Sequence, residues 1–193
     1  MKNICVYCGS SPGKSKAFVE SAKALGKELV KRDIGLIYGG ASVGVMGEVA
    51  DAVLSEGGKV TGIIPQFFVD KEVAHHELTD LIIVSSMHER KTLMAEMSDG
   101  FIALPGGYGT IEEIFEILTW SQLGFHQKPC SLLNIEGYYN DLISFVDNTV
   151  EQQFVKDVHR SMLLVESTPN KLLDLMTTYQ APSVKKWLGE GET

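Results

Sequence analysis

The sequence predicts an α/β fold in which helices cover both faces of a doubly wound, mostly parallel sheet. Three observations support this prediction: short apolar segments of strand length alternate with segments of helical spacing, the alternation runs through nearly the whole chain, and glycine-rich turns follow three of the strand segments. The pattern is typical of a Rossmann-like three-layer sandwich. Such sheets bind ligands beyond the carboxyl ends of their strands, so we expect the three turns to lie along one edge.

Each strand is predicted from a short apolar run that ends at a turn. The predicted strands are 3–7, 34–38, 59–64, 81–85, 101–104, 130–133 and 162–165. The predicted helices are 15–31, a helix from 45 to a stop at Gly57 and Gly58, 87–97, a helix through 111–118, 139–152 and 171–178. The segment 66–77 is expected to be irregular. Residues 1–180 are expected to form one domain, and 181–193 a loose tail.

The composition is that of an ordinary globular protein, with 44% hydrophobic and 22% charged residues among 193. The formal net charge of −8 argues against broad nucleic-acid binding, because the chain has no basic excess to neutralise phosphates. A local site for a small phosphorylated ligand remains compatible with it. Three cysteines are too few for a disulfide framework, and no apolar run has the length of a signal peptide core or a membrane span. We therefore expect a cytoplasmic protein without membrane or nucleic-acid partners.

The stretch after the fifth predicted strand is the strongest indication of a binding site. There Pro105, Gly106, Gly107 and Gly109 interrupt the apolar run before helical spacing resumes at Ile111. A strand, a glycine turn and a helix N-terminus together form an anion site, because free N–H groups and the positive end of the helix dipole point at one spot. Glycine also lets a ligand approach the backbone closely.

Two interpretations of Glu113 remain open on local pattern alone. Glu112 and Glu113 are expected in the first turn of this helix. In the structural interpretation, Thr110-x-x-Glu113 is a capping box in which the carboxylate binds the N-cap N–H. In the functional interpretation, the helix terminus holds the carboxylate ionised next to a substrate, where it suits electrostatic stabilisation, nucleophilic attack or base catalysis.

The turn after the first strand resembles a phosphate-binding P-loop but does not match it. The run 9–15 has one residue too few before its Gly-Lys pair, and Pro12 lacks an N–H. Gly9 and Ser10 remain candidates for contact with a phosphate or ribose.

The turn after the second strand contains Gly39, Gly40, Gly44 and Met46, and opens the next helix. It lacks the G-x-G-x-x-G spacing of dinucleotide-binding folds. It is either a tight turn with close helix packing or a phosphate loop.

Arg90 and Lys91 stand near the start of a predicted helix, where cations are mildly unfavourable. They either belong to a solvated face or grip an anion, which arginine can do in bidentate fashion. The pair Cys5-x-x-Cys8 begins inside a strand, and no second cysteine pair or histidine cluster completes it, so we expect no metal site. The adjacent His75 and His76 are interpreted as loop histidines.

Taken together, these motifs resemble the LOG family of cytokinin riboside 5′-monophosphate phosphoribohydrolases, which was long labelled "possible lysine decarboxylase". The resemblance rests on the glycine turn 39–47, on Glu89-Arg90-Lys91 and on the PGGYGTIEE run at 105–113, and it covers about residues 2–180. It implies hydrolysis of the N-glycosidic bond of AMP or an N6-prenylated AMP to free base and ribose 5-phosphate, without a cofactor. It also implies a homodimer.

The resemblance assigns Arg90 and Glu113 as the catalytic pair. Breaking the glycosidic bond develops positive charge on the ribose, which a fixed carboxylate stabilises, and this chemistry suits Glu113. Whether Glu113 acts as nucleophile, base or electrostatic stabiliser stays open. The implied substrate contacts are Glu72, Lys91, Gly107, Tyr108, Gly109, Thr110, Ile111, Glu112 and Thr119.

Two other classes of protein stay open. A non-catalytic nucleotide-binding or carrier module on the same fold would keep the glycine turns without needing Arg90 and Glu113, so the presence of both favours the enzyme. A pyridoxal-phosphate decarboxylase would need a lysine that forms a Schiff base, with partners for the phosphate and the pyridinium. Lys91 is the only obvious candidate for it.

Overall fold

The computed structural model describes residues 1–69, 71 and 73–183, which form seven strands and eight α-helices. The strands are β1 (Asn3–Tyr7), β2 (Gly35–Tyr38), β3 (Val60–Pro65), β4 (Asp80–Val84), β5 (Gly100–Ala103), β6 (Cys130–Leu133) and β7 (Leu163–Glu166). The helices are α1 (Lys16–Lys31), α2 (Gly44–Ser55), α3 (Gln66–Val69), α4 (Met87–Glu96), α5 (Tyr108–Leu123), α6 (Asn140–Glu151), α7 (Asp157–Arg160) and α8 (Pro169–Thr178).

The strands form one parallel sheet in the order β4-β3-β2-β1-β5-β6-β7. From β1 the chain moves outward to β4 and then returns to place β5 on the other side of β1. The predicted doubly wound fold is therefore confirmed, and its switch point lies between β1 and β5.

The sheet is covered by a layer of helices on each face. In β1, Ile4 and Val6 pack with α1, α2 and α8, whereas Cys5 and Tyr7 pack with α4 and α5 on the opposite face. Successive side chains of a strand point to opposite faces, so a continuous apolar run is what a strand buried on both sides requires.

The three glycine-rich turns meet at one edge of the sheet, as expected. The N–H of Gly9 donates to the carbonyl of Pro105 over 3.2 Å, and the N–H of Met46 donates to the carbonyl of Gly9 over 3.3 Å. These two bonds join the turns after β1, β2 and β5 into one continuous backbone surface.

Short helices account for the differences between the predicted and the observed elements. The segment 66–77 contains α3, and α7 and a short 3₁₀ turn at Ile135–Gly137 were not predicted. One turn of helix is too short to show a helical repeat in the sequence, so no periodic signal was available. Residues 184–193 of the predicted tail lie outside the described residues.

The start of α5 contradicts the capping-box interpretation. Gly107 is the N-cap and Tyr108 the first helical residue, so Thr110 lies inside the first turn and cannot be the cap. The first turn contains no acidic residue, so the expectation that Glu112 and Glu113 lie there is also wrong. Gly106 sets this start, because a Cβ added to it would lie 2.1 Å from the Thr110 Oγ1 atom.

Candidate active site

A cleft of about 400 Å³ opens at the carboxyl edge of the sheet, next to the switch point. The ends of β1 and β3, the three glycine-rich turns and the first residues of α4 and α5 surround it. Both its position and its size are those of a small-molecule site in an open α/β sheet.

Two side chains on different helices form a buried ion pair in this cleft. The Nη1 atom of Arg90, on α4, donates to Glu113 Oε1, on α5, over 2.6 Å. The Nε atom of Arg90 donates to the carbonyl of Ile63 over 3.1 Å. The guanidinium is thus fixed at two points, and the side chains of Arg90 and Glu113 are only 10% and 11% exposed.

The position of Arg90 depends on the absence of a side chain at Gly39. A Cβ added to Gly39 would lie 2.3 Å from Arg90 Nη2 and 2.5 Å from the Met46 methyl carbon. The glycine turn after β2 therefore makes room for the guanidinium. This turn was predicted as a phosphate loop or a packing turn, and its contact with Arg90 could not be foreseen from the sequence.

Burial raises the pKa of the Glu113 carboxyl above its ordinary value. The positive charge and hydrogen bond of Arg90 lower it again, but they offset the effect of burial only in part. Glu113 is therefore a desolvated carboxyl whose protonation depends on its arginine partner, as is typical of groups at functional sites.

The start of α4, which carries Arg90, is fixed by an N-terminal cap that was not predicted. The Ser86 hydroxyl accepts from the N–H of Glu89 over 3.1 Å, and the Glu89 carboxylate accepts from the N–H and hydroxyl of Ser85. The two hydrogen bonds from Ser85 lower the pKa of Glu89. The signal was present as Ser86-x-x-Glu89, a capping-box spacing. In the Glu-Arg-Lys motif, the glutamate is thus structural.

Lys91 ties the same two helices together outside the cleft. Its Nζ atom donates to Glu112 Oε1 over 2.7 Å and to Glu116 Oε1 over 2.9 Å. Burial by itself lowers the pKa of Lys91, but the bonds to the two carboxylates outweigh it, so the net pKa is raised. A lysine held protonated in this way is a poor Schiff-base nucleophile, which disfavours the decarboxylase alternative.

The glycines of the turn before α5 serve two different purposes. Gly106 is required by packing, as the contact with Thr110 shows. By contrast, a Cβ added to Gly107 or Gly109 would lie within 4 Å of no other atom of the described residues. Both residues line the cleft, beside the unpaired N–H groups of the α5 N-terminus. Their lack of side chains leaves this backbone open to a ligand.

The structure brings most of the predicted site residues into the cleft. Those that line it are Gly9, Ser10, Gly39, Met46, Arg90, Gly107, Tyr108, Gly109, Thr110, Glu112 and Glu113. Tyr108 stands at the rim, 94% exposed.

Five other predicted residues are described but do not belong to that lining: Gly40, Gly44, Lys91, Ile111 and Thr119. Thr119 lies on an exposed part of α5, where its hydroxyl donates to the carbonyl of Phe115. Gly44 has a φ of +58° and packs so closely on Ser10 that an added Cβ would lie 2.3 Å from its carbonyl carbon. It therefore supports the turn from behind. Glu72 lies outside the described residues.

The segment 66–77, which was expected to be irregular, supplies one wall of the cleft. Phe68 and Val73 line it, and the chain at 73–75 is bound to the turn after β2. The N–H of Ser42 donates to the carbonyl of Val73, and the N–H of His75 donates to that of Gly40. These bonds hold the wall against the glycine turn, which no local pattern indicated.

His75 is a structural residue at this wall. It is 6% exposed, and its Nε2 atom lies 2.9 Å from Asp51 Oδ1 on α2. Its Nδ1 atom accepts from the N–H of Glu77. Among the described residues, no group of three or more His, Cys, Asp or Glu side chains is arranged to hold a metal ion. None of the described helices has both the length and the apolar character needed to span a membrane.

Comparison with known sequences gives relatives that match most of this chain. Residues 46–176 match the profile of the family described as "Possible lysine decarboxylase". The probable cytokinin riboside 5′-monophosphate phosphoribohydrolase LOGL6 of Oryza sativa subsp. japonica is 48% identical over 92% of this chain and 71% of its own length. The Arabidopsis thaliana phosphoribohydrolase LOG3 is 47% identical over 92% of this chain and 83% of its own. LOG1 of the same plant is 44% identical over 96% and 90%.

Comparison with solved structures gives the same fold at lower identity. A molybdenum cofactor binding protein from Rippkaea orientalis is 22% identical with a TM-score of 0.70, and the match covers 92% of this chain and 97% of that protein. The molybdenum cofactor carrier protein of Chlamydomonas reinhardtii is 21% identical with a TM-score of 0.69, covering 91% and 96%. At such identities, these likenesses concern the fold alone.

Proposed function

Because this chain belongs to the LOG family of cytokinin riboside 5′-monophosphate phosphoribohydrolases, we propose that it hydrolyses the N-glycosidic bond of a nucleoside 5′-monophosphate. The substrates proposed are AMP and N6-prenylated AMP, and the products are the free base and ribose 5-phosphate. The observation that carries the proposal is the buried pair of Arg90 and Glu113 in a cleft of nucleotide size.

The N-terminus of α5 is the proposed site of the 5′-phosphate. Its free N–H groups and the positive end of the helix dipole favour an anion, and Gly107 and Gly109 leave the backbone uncovered there. Binding energy gained at the phosphate, which does not react, then positions the ribose for reaction.

The apolar wall of the cleft is the proposed site of the base. Met46, Phe68, Val73 and Met87 line it. These side chains offer an apolar surface that suits a purine ring and tolerates an alkyl group on its N6 atom.

Glu113 is the proposed catalytic carboxylate. When the bond from C1′ to the base breaks, its electron pair leaves with the base, and positive charge develops on C1′ and the ring oxygen. The Glu113 carboxylate stabilises that charge from a buried position, where electrostatic interactions are stronger than in water. Water then adds to C1′, and the base takes up a proton. Arg90 fixes the carboxylate through Nη1 and is itself fixed by Ile63.

The deciding experiment is to detect the products by chromatography. The purified chain is incubated with AMP, isopentenyl-AMP and the matching unphosphorylated nucleosides. Free base from the monophosphates alone is the expected result, and the ratio of the rates identifies the preferred base. Binding without release of base from either monophosphate would instead favour a non-catalytic nucleotide carrier.

We also propose that the chain is a cytoplasmic homodimer without nucleic-acid partners. Family membership and the charge of −8 support this assignment. A second open, largely apolar surface, formed by Ala95, Trp120, Phe125 and their neighbours on the outer face of α4 and α5, offers area for a second copy. Light scattering coupled to size-exclusion chromatography would show twice the 21.2 kDa chain mass if the dimer forms.

A further inference from the structure

Three successive carbonyl groups in the turn between β5 and α5 each accept a hydrogen bond from a distant part of the chain. The Tyr139 hydroxyl donates to Leu104 over 2.6 Å, and the N–H of Gly9 donates to Pro105 over 3.2 Å. The Tyr138 hydroxyl donates to Gly106 over 2.5 Å. Hydrogen bonds from residues outside the turn therefore fix three successive peptide planes of it.

The bond from Tyr138 also determines where the next N–H points. All peptide bonds in the described chain are trans, and in a trans peptide the C=O and the N–H point in opposite directions. Because Tyr138 holds the carbonyl of Gly106, the N–H of Gly107 points away from Tyr138. Gly107 lines the main cleft, which Tyr138 does not line, and both residues line a neighbouring groove.

Packing holds the two ends of this peptide unit unequally. It joins two glycines, whose backbone rotates more freely than that of any other residue. The Gly106 end is packed against Thr110 and Gly9, whereas no other atom of the described residues lies within 4 Å of a Cβ added to Gly107. The hydrogen bond from the Tyr138 hydroxyl adds a direct restraint on the carbonyl of this unit.

Contacts of the backbone and of the ring fix the position of Tyr138. It follows the turn Ile135–Gly137, in which Glu136 has a φ of +50° and is bound by the Ser15 hydroxyl over 2.7 Å. Its ring packs edge-on against Phe18 and Tyr139, with centroid distances of 5.5 and 4.9 Å. Backbone and ring contacts thus bring the hydroxyl to the carbonyl of Gly106.

We propose that Tyr138 is a positioning residue for the substrate phosphate: by holding the carbonyl of Gly106, it keeps the N–H of Gly107 directed into the cleft, where it donates to a phosphate oxygen. The role rests on the proposed function, because it takes the 5′-phosphate to lie at the start of α5. Tyr138 itself does not touch the substrate.

The test compares the Tyr138→Phe variant with the unaltered chain. Ribose 5-phosphate and adenosine serve as separate probes in isothermal titration calorimetry. Ribose 5-phosphate is not turned over, so its Kd can be measured without interference from catalysis. Loss of one aligned hydrogen bond to a charged oxygen should weaken its binding about tenfold. Adenosine, which lacks the phosphate, should bind equally to both. With AMP as substrate, KM should rise about tenfold while kcat changes less than about twofold.

Tyr179→Phe is the matched control, because it removes a buried hydroxyl for which the described part of the structure shows no hydrogen-bond partner. It should leave both affinities unchanged. Equal weakening of ribose 5-phosphate and adenosine by Tyr138→Phe would reveal a merely structural role and overturn the proposal. Unchanged binding of ribose 5-phosphate by Tyr138→Phe would also overturn the proposal. If the unaltered chain binds ribose 5-phosphate but releases no base from any nucleotide, the proposed hydrolysis fails while the Kd comparison still decides the role of Tyr138.

Discussion

Arg90 on α4 and Glu113 on α5 meet in the cleft, with Nη1 and Oε1 only 2.6 Å apart. The next residue on α4 repeats this connection, since Lys91 binds Glu112 on α5. The two helices are thus joined by neighbouring ion pairs with different surroundings. The Arg90 pair is buried in the cleft, whereas the carboxylate of Glu112 is 53% exposed. Only the buried pair has the desolvated environment that electrostatic catalysis needs.

Glu113→Gln should reduce kcat by at least about 100-fold, because it removes the negative charge that stabilises the developing cation. The amide keeps an oxygen that can accept from Arg90, so the fold and the binding of AMP should persist. Chromatography of the released base and calorimetry with AMP check both points. Glu116→Gln is the matched control, because this carboxylate lies on the same helix outside the cleft lining, and it should retain most of the activity. A Glu113→Gln chain that is as active as the original would remove this carboxylate from the mechanism.

The acid limb of the pH profile should lie above the ordinary glutamate pKa of 4.5, because burial raises the pKa of Glu113. Activity requires the carboxylate, so kcat/KM should fall as the pH falls through that raised pKa. Arg90 lowers the pKa of Glu113, and Arg90→Gln should therefore move the limb of the residual activity to higher pH. The phosphate of AMP titrates in the same way in the assays of both proteins. The difference between their two pH profiles therefore reports the titration of Glu113. A shift to lower pH would contradict this assignment.

Gly39→Ala should impair catalysis without unfolding the protein. The added methyl group would collide with the ends of two flexible side chains, Arg90 and Met46, which can move at little cost. The displaced guanidinium would then no longer fix Glu113, and we expect kcat/KM to drop at least about tenfold. Thermal unfolding and steady-state kinetics measured on the same preparation check the prediction. If Tm falls by more than about 10 °C, Gly39 supports the fold as much as the site.

Gly106→Ala should mainly lower the stability of the fold, whereas Gly107→Ala should mainly weaken ligand binding. At Gly106 an added Cβ would lie 2.1 Å from Thr110 Oγ1 and 2.8 Å from the backbone nitrogen of Gly9, so Tm should fall. At Gly107 it would lie within 4 Å of no other atom in the described part of the chain, so Tm should change little while the affinity for ribose 5-phosphate decreases. Scanning calorimetry gives the Tm of both variants, and titration with ribose 5-phosphate gives their affinities. Unchanged affinity in Gly107→Ala would show that the ligand does not approach this glycine.

Much of this molecule could be predicted from local patterns in the sequence. The alternation of apolar strand segments and helical spacing predicts a doubly wound parallel sheet, because strands buried on both faces must be apolar throughout and their crossovers must be helical. Each glycine turn follows a strand of the parallel sheet, so the sequence also predicts that the turns share one edge. The motifs containing Arg90 and Glu113 single out both members of the pair.

The tertiary structure decided what each of these residues contacts. The bond between Arg90 and Glu113 spans 23 positions of the sequence, and that between Tyr138 and Gly106 spans 32. Such contacts depend on how helices and turns pack, which local spacing does not encode. For the same reason, the sequence suggested a capping box at Thr110, whereas the structure shows Gly107 as the cap and Thr110 packed on Gly106. The sequence by itself determined the fold and the chemical groups, and packing between distant segments determined which of those groups face the cleft.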